Sequence, residues 1–152
     1  MAEFRAIGNK ALLPHALCVL AEACIEADLL DEGLGALTEA MAAADEYEIR
    51  HYEPEMHRLK GKLLLRQDHP NVAEAQNCFQ RAVEVARNQS AKSLELRATM
   101  SLARLLAKQG KRDEARPMLA DIYGWFTEGF DTADLKEAKA LLDELSVNGG
   151  EC

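Results

Sequence analysis

The feature that most constrains this chain is a spacing of small residues that occurs three times. Leu20-Ala21 precedes Gly33, Leu37 and Ala40; Lys60-Gly61 precedes Ala75, Phe79 and Ala82; Leu102-Ala103 precedes Ala115, Leu119 and Ile122. In each line a small residue is followed by a second small one, a bulky apolar residue four later, and a small or aliphatic residue three after that. The second small residues fall at 33, 75 and 115, steps of 42 and 40. Offsets of three and four put side chains on one face of a helix. A plain helical bundle has no reason to repeat these offsets. The chain therefore reads as a stack of helical hairpins, each burying its apolar face against the next.

The elements between these landmarks fit that reading. Pro14 suits a first helical turn, and Leu17, Leu20, Ala21, Cys24 and Ile25 recur at helical spacing. Asp28-Leu29-Leu30-Asp31 marks a turn, with Asp31 as the expected N-cap of a helix over 32–44. Pro54 opens a helix reaching Arg66, and 67–71 is a break. Helices over 72–87, 91–108 and 113–121 follow, the last acceptable only if Pro117 falls in its first turn. The stretch 123–132 is irregular, 133–145 is a last amphipathic helix, and 147–152 is expected to be a flexible tail. The expectation is one all-α domain over 1–146, with repeats at about 12–44, 54–87 and 92–122 and a capping helix at 133–145.

Composition agrees and narrows the function. Ala, Leu, Glu, Arg and Lys dominate and aromatics are 5%, which favours residues that lose little rotamer freedom in a helix. A net charge of −8 argues against general nucleic-acid binding, which needs a basic footprint, and against an anionic membrane surface. No apolar run approaches the ~20 residues of a membrane span. Met1-Ala2-Glu3-Phe4-Arg5 lacks the pattern of a signal peptide. Cys18, Cys24, Cys78 and Cys152 form no Cys-x-x-Cys pair, so reduced thiols and a cytoplasmic location are expected.

The small–small–large–small pattern resembles the tetratricopeptide signature, with a period longer than the usual ~34 residues. That resemblance implies a right-handed superhelix of about three helix pairs plus a C-terminal cap. A narrower resemblance covers most of the chain. The runs Leu20-Ala21-Glu22-Ala23, Tyr52-Glu53-Pro54-Glu55-Met56-His57-Arg58-Leu59-Lys60-Gly61, Lys92-Ser93-Leu94-Glu95-Leu96-Arg97 and Tyr123-Gly124-Trp125-Phe126-Thr127-Glu128-Gly129-Phe130-Asp131-Thr132 look like the helical tail of a family of large bacterial signalling proteins. There a class III adenylate or guanylate cyclase domain, or a DNA-binding domain, precedes a P-loop ATPase module and a helical-repeat tail. The resemblance implies a regulatory interaction module. It carries over no catalytic residue, because no segment corresponds to the cyclase or ATPase domains.

Catalytic signatures are missing. The sequence has no Gly-x-x-x-x-Gly-Lys-Ser/Thr, Gly-x-Gly-x-x-Gly or Gly-x-Ser-x-Gly motif. His51, Glu53, Glu55 and His57 are the one His/carboxylate cluster, and Pro54 interrupts the three-to-four spacing that a helical metal site needs. Neither metal nor cofactor nor enzymatic activity is expected.

Two surfaces are candidates for binding. Tetratricopeptide-like arrays line a concave face with the first helix of each pair. Aligning on Ala21, Gly61 and Ala103 places Cys18, Glu22, Ile25 and Glu26 there, then Arg58, Lys62, Leu65 and Arg66, then Arg97, Met100, Arg104 and Lys108. The cations Arg58, Lys62, Arg66, Arg97, Arg104 and Lys108 form either a basic groove for a protein or acidic peptide, or partners for neighbouring acids, Glu22 with Lys62 and Glu26 with Arg66. The second surface is aromatic. Tyr123, Trp125, Phe126 and Phe130 are four of the eight aromatics of the chain. They serve as interface anchors or, the reading the sequence favours, pack the last helix as a cap. A small-ligand sensor of a bacterial regulator is the alternative function, and it requires an apolar pocket on the concave face. An uncovered first repeat would also allow self-association.

Overall fold

The computed structural model describes residues 12–148, with side chains to residue 146. The reading of Met1 to Arg5, and Cys152, lie outside these residues, as does all of the expected tail beyond Asn148. Seven helices are described: α1 Leu13–Glu26, α2 Leu30–Glu46, α3 Glu53–Arg66, α4 Val72–Asn88, α5 Lys92–Lys108, α6 Arg112–Tyr123 and α7 Ala133–Asn148. Among the described residues there is no strand, and no helix is long and apolar enough to cross a membrane.

Each helix packs against the next in the chain, and the first helices of successive pairs also touch, α1 with α3, α3 with α5 and α5 with α7. The small residues act as the spacing implied. Ala21, Ala40, Ala75, Ala82, Ala103 and Ala115 are fully buried. At Gly61 the approach is closest: a Cβ built there would lie 2.5 Å from Cε1 of Phe79, the bulky residue of the second repeat. One apolar cluster joins α1, α2 and α3 around Leu17, Leu37 and Leu59. A second joins α4 to α7 around Phe79, Leu96, Leu119 and Leu135.

Helix ends show where local expectation fails. α2 starts at Leu30 with Leu29 as a cap that makes no side-chain bond, so Asp31 is not the N-cap. It lies in the first turn, where its carboxylate acts on the helix dipole. Asn71 does cap α4, accepting from the Glu74 N–H at 3.1 Å. Pro117 is not in the first turn of α6 but one turn further in. There its ring removes the N–H that would reach the Asp113 carbonyl. α7 continues to Asn148, past the expected end at 145.

Three helices end on left-handed residues that are not glycine. Asp28, Glu48 and Ser90 have φ of 62°, 55° and 55°. In each case the N–H of the following residue reaches back to the last turn of the helix, as from Leu29 to the Cys24 carbonyl at 2.8 Å and from Ala91 to the Ala86 carbonyl at 2.9 Å. This is the double-bonded helix ending that glycine ordinarily supplies, and Gly110 supplies it after α5, with φ 78°.

Candidate functional site: the face of the first helices

The residues aligned on Ala21, Gly61 and Ala103 come together on one face, but as an ion lattice rather than an open basic strip. Arg58 is 5% exposed and Glu55 6%. Being three apart on α3, they pair bidentately: Arg58 Nε donates to Glu55 Oε1 at 2.6 Å and Nη2 to Oε2 at 2.9 Å. Arg58 Nη2 also donates to Glu22 of α1 at 2.9 Å. From α5, Arg97 donates to Glu55 at 2.6 Å and to both oxygens of Glu22 at 3.2 and 3.0 Å. Its Nε lies 3.7 Å from Asp134 of α7. Two guanidiniums and three carboxylates thus tie α1, α3, α5 and α7 together.

Electrostatics follow from this geometry. Burial acts to raise the Glu22 carboxyl, but the charges and hydrogen bonds of Arg58 and Arg97 outweigh it and hold the group at about 2. Burial likewise opposes the Arg58 charge, yet Glu55 and Glu22 raise its pKa above the usual value. Asp134 is pushed up by burial, offset in part by Arg97. The Cys18 thiol, beneath the lattice, is pushed up to about 12 by burial and by Glu55 and Glu22 against the opposing pull of Arg58. A thiol so held is a poor nucleophile.

This corrects the expectation for several groove residues. Arg58 and Arg97 are committed to internal carboxylates. Lys62 donates to Glu26 at 2.7 Å and lies 3.7 Å from Glu22. Pairing between neighbouring helices therefore occurs, one turn out of the expected register at Glu26, whose partner is Lys62 and not Arg66. Arg66 reaches Asp28 at 3.4 Å. Cys18 and Ile25 are core residues, 3% and 0% exposed, and do not line the face.

What stays available lies toward the C-terminal ends of α3 and α5. A hollow of about 240 Å³ has Leu65, Phe79 and Leu105 as its floor and Lys62, Arg66, Arg104 and Lys108 around it. Arg104 has one long contact, 3.5 Å to Glu137, and Lys108 is exposed. A neighbouring hollow of about 350 Å³ is lined by the lattice acids Glu22 and Asp134 with Glu26 and Glu137. The two share Arg58, Lys62 and Arg104.

The aromatic segment divides. Tyr123 and Phe126 pack against the C-terminal core. Trp125 and Phe130 are 57% and 45% exposed, so the cap expected of all four is made by two. Tyr123 meets Phe130 at 5.8 Å between ring centroids, Trp125 meets Phe126 edge-on at 5.1 Å, and Lys92 Nζ stands 5.7 Å over the Trp125 ring. The His/carboxylate cluster disperses. Glu55 turns to the arginines, His57 lies 3.5 Å from Glu53, and the His51 ring tilts against Tyr52.

Glu55 and Asp134 are the site residues that sequence reasoning did not place. Glu55 carries a usable signal, three positions before Arg58 on one helix face. Asp134 carries none, because its approach to Arg97 depends on how α7 docks. Compared with known proteins, the chain matches no family model, no curated protein and no solved structure.

Proposed function

We propose that this chain is a non-catalytic interaction module of the tetratricopeptide type, with its helix pairs in a right-handed superhelix, and that it binds an acidic peptide segment of a protein partner. The observation that carries the reading is the hollow between α3 and α5. Its floor of Leu65, Phe79 and Leu105 offers burial for an apolar side chain, and Arg66, Arg104 and Lys108 offer charge for a carboxylate. The resemblance of the Tyr123–Thr132 run to the helical tails of cyclase- and ATPase-containing signalling proteins supports a regulatory setting. The apolar floor also favours a second reading, in which the occupant is a small amphiphilic carboxylate and the domain senses a ligand.

The test is a fluorescence titration of the full chain with a labelled hexapeptide of Asp and Glu ending in Leu with a free carboxylate. Binding that weakens with salt is expected. Arg104→Ala with Lys108→Ala should weaken it by about tenfold or more and flatten its salt dependence, because two charge-assisted contacts are lost. Lys62 is spared because it already holds Glu26. Equal affinity of the double variant would remove the groove from the account. Binding of free dodecanoate at this site, with none of the peptide, would favour the sensor.

A further inference from the structure

A further hollow, of about 330 Å³, lies between the end of α5, the start of α6 and the later turns of α7. Helical spacing sets its lining. Arg104 and Lys108 are four apart on α5, so their side chains share one face, and Arg112 is the first residue of α6. Leu141 and Leu145, four apart on α7, form an apolar wall and are 7% and 2% exposed. Glu144 is the one acid of the lining, so three cations face one carboxylate. The first-turn acids of α6, Asp113 and Glu114, are exposed and lie outside the hollow. These cations differ from Arg58, Lys62 and Arg97, which are committed to internal carboxylates. Among the described residues, Lys108 and Arg112 have no carboxylate at ion-pair distance, and Arg104 has only its 3.5 Å contact to Glu137. Nη1 of Arg112 is covered from solvent and has no hydrogen-bond partner. Leaving a covered donor of a charged group unmade is costly, and an orphan of this kind in a basic hollow points to an anion as the missing partner.

We propose that this hollow is a phosphate-ester site, and that the acidic segment held between α3 and α5 carries a phosphoserine or phosphothreonine whose phosphoryl group it takes. The proposal rests on the peptide reading above and deepens it. Arg104 and Lys108 line both hollows, so a chain held in the first has the second beside it. A carboxylate has two oxygens and is satisfied by a single arginine fork. Three converging cations exceed that need. A phosphoryl group, with a charge near −2 and three acceptor oxygens, matches them, and the three cations against Glu144 leave an excess of two positive charges to meet it. The apolar wall of Leu141 and Leu145 keeps water from one side, which strengthens charge-assisted hydrogen bonds there. Arg112 lines this hollow and not the one between α3 and α5. It therefore reads the phosphate without serving the rest of the peptide, and an oxygen bound to it completes a donor that the fold leaves unmade.

The test titrates the full chain with the labelled Asp and Glu hexapeptide ending in Leu, with serine or phosphoserine placed at each position in turn. At one position or more, phosphoserine should bind at least about tenfold tighter than serine, and glutamate there should not reproduce the gain. Arg112→Gln should abolish the gain while leaving the affinity for the serine peptide as it was, and Arg112→Lys should keep part of it. The melting temperature of Arg112→Gln should be unchanged or higher, because an unmade donor has been removed. Serine peptides that bind with no phosphoserine gain overturn the phosphate site and leave the groove standing. A gain that survives Arg112→Gln is general charge attraction and overturns the site as well. Free O-phosphoserine that binds as tightly as the best peptide assigns the hollow to a small phosphate ester and overturns the peptide as its occupant. Absence of binding by every peptide removes the groove and this proposal together.

Discussion

Gly61 and Gly35 are both interior helical glycines, and their surroundings give opposite expectations for the same substitution. Replacing glycine by alanine in a helix gains roughly 0.5–1 kcal/mol from backbone entropy. At Gly35 nothing lies within 4 Å of an added Cβ, so Gly35→Ala should stabilise the chain by that amount. At Gly61 the added Cβ would meet three atoms of the Phe79 ring at 2.5 to 2.9 Å, and Phe79 is 1% exposed, so the ring or the helix that carries it must shift. Overpacking of this kind costs about 1–3 kcal/mol, so Gly61→Ala should destabilise on balance. Urea denaturation of both variants checks the pair, and a stabilised Gly61→Ala would mean that α3 and α4 do not meet there. Gly61 was legible because it sits at the same offset as Ala21 and Ala103, and a small residue held at that offset marks close approach of two helices. Asp28, Glu48 and Ser90 were not. Their left-handed backbone does a glycine's work with side chains that, in a sequence, read as ordinary polar turn residues.

Among the elements, α1 and α3 are coupled by charge as well as by packing, and the coupling has a pH signature. Glu22 is held at about 2 by Arg58 and Arg97, below its ordinary 4.5. The unfolded chain therefore takes up the proton first. The stabilisation is complete above about pH 4.5 and is lost as pH falls from there toward 2. With the Glu22 side chain 29% exposed, it contributes on the order of 2 kcal/mol. Glu22→Gln should lower stability at neutral pH and flatten the decline between pH 4.5 and 2, followed by thermal melts. An unchanged acid profile would place Glu22 outside the lattice. The sequence showed which helix faces carry charge, because Arg58, Lys62 and Arg66 repeat at four. It could not show which acid each cation takes. A shift of one helical turn, about 5.4 Å, exchanges Arg66 for Lys62 as the partner of Glu26, and nothing local sets that register. The aromatic run fails for a similar reason. Its residue types suit burial, but whether Trp125 is covered depends on the path of the irregular segment before α7.

At the scale of the molecule, the arrangement that matters is that α1, α3 and α5 lie side by side in chain order. Three repeats of one spacing made hairpins legible. The stacking of their first helices is a tertiary property that no single repeat encodes. It places Glu22 and Arg97, 75 positions apart, within hydrogen-bonding distance at 3.0 Å. No local structure brings such residues together, so their energetic coupling reports the stack itself. The direct test is a double-mutant cycle of Glu22→Gln and Arg97→Met by urea denaturation at neutral pH. Helices stacked as described should give a coupling of about 0.5–3 kcal/mol, with Lys139→Ala and Glu22→Gln as an additive control. Glu22 and Arg97 effects that simply add, within about 0.3–0.5 kcal/mol, would contradict the stack.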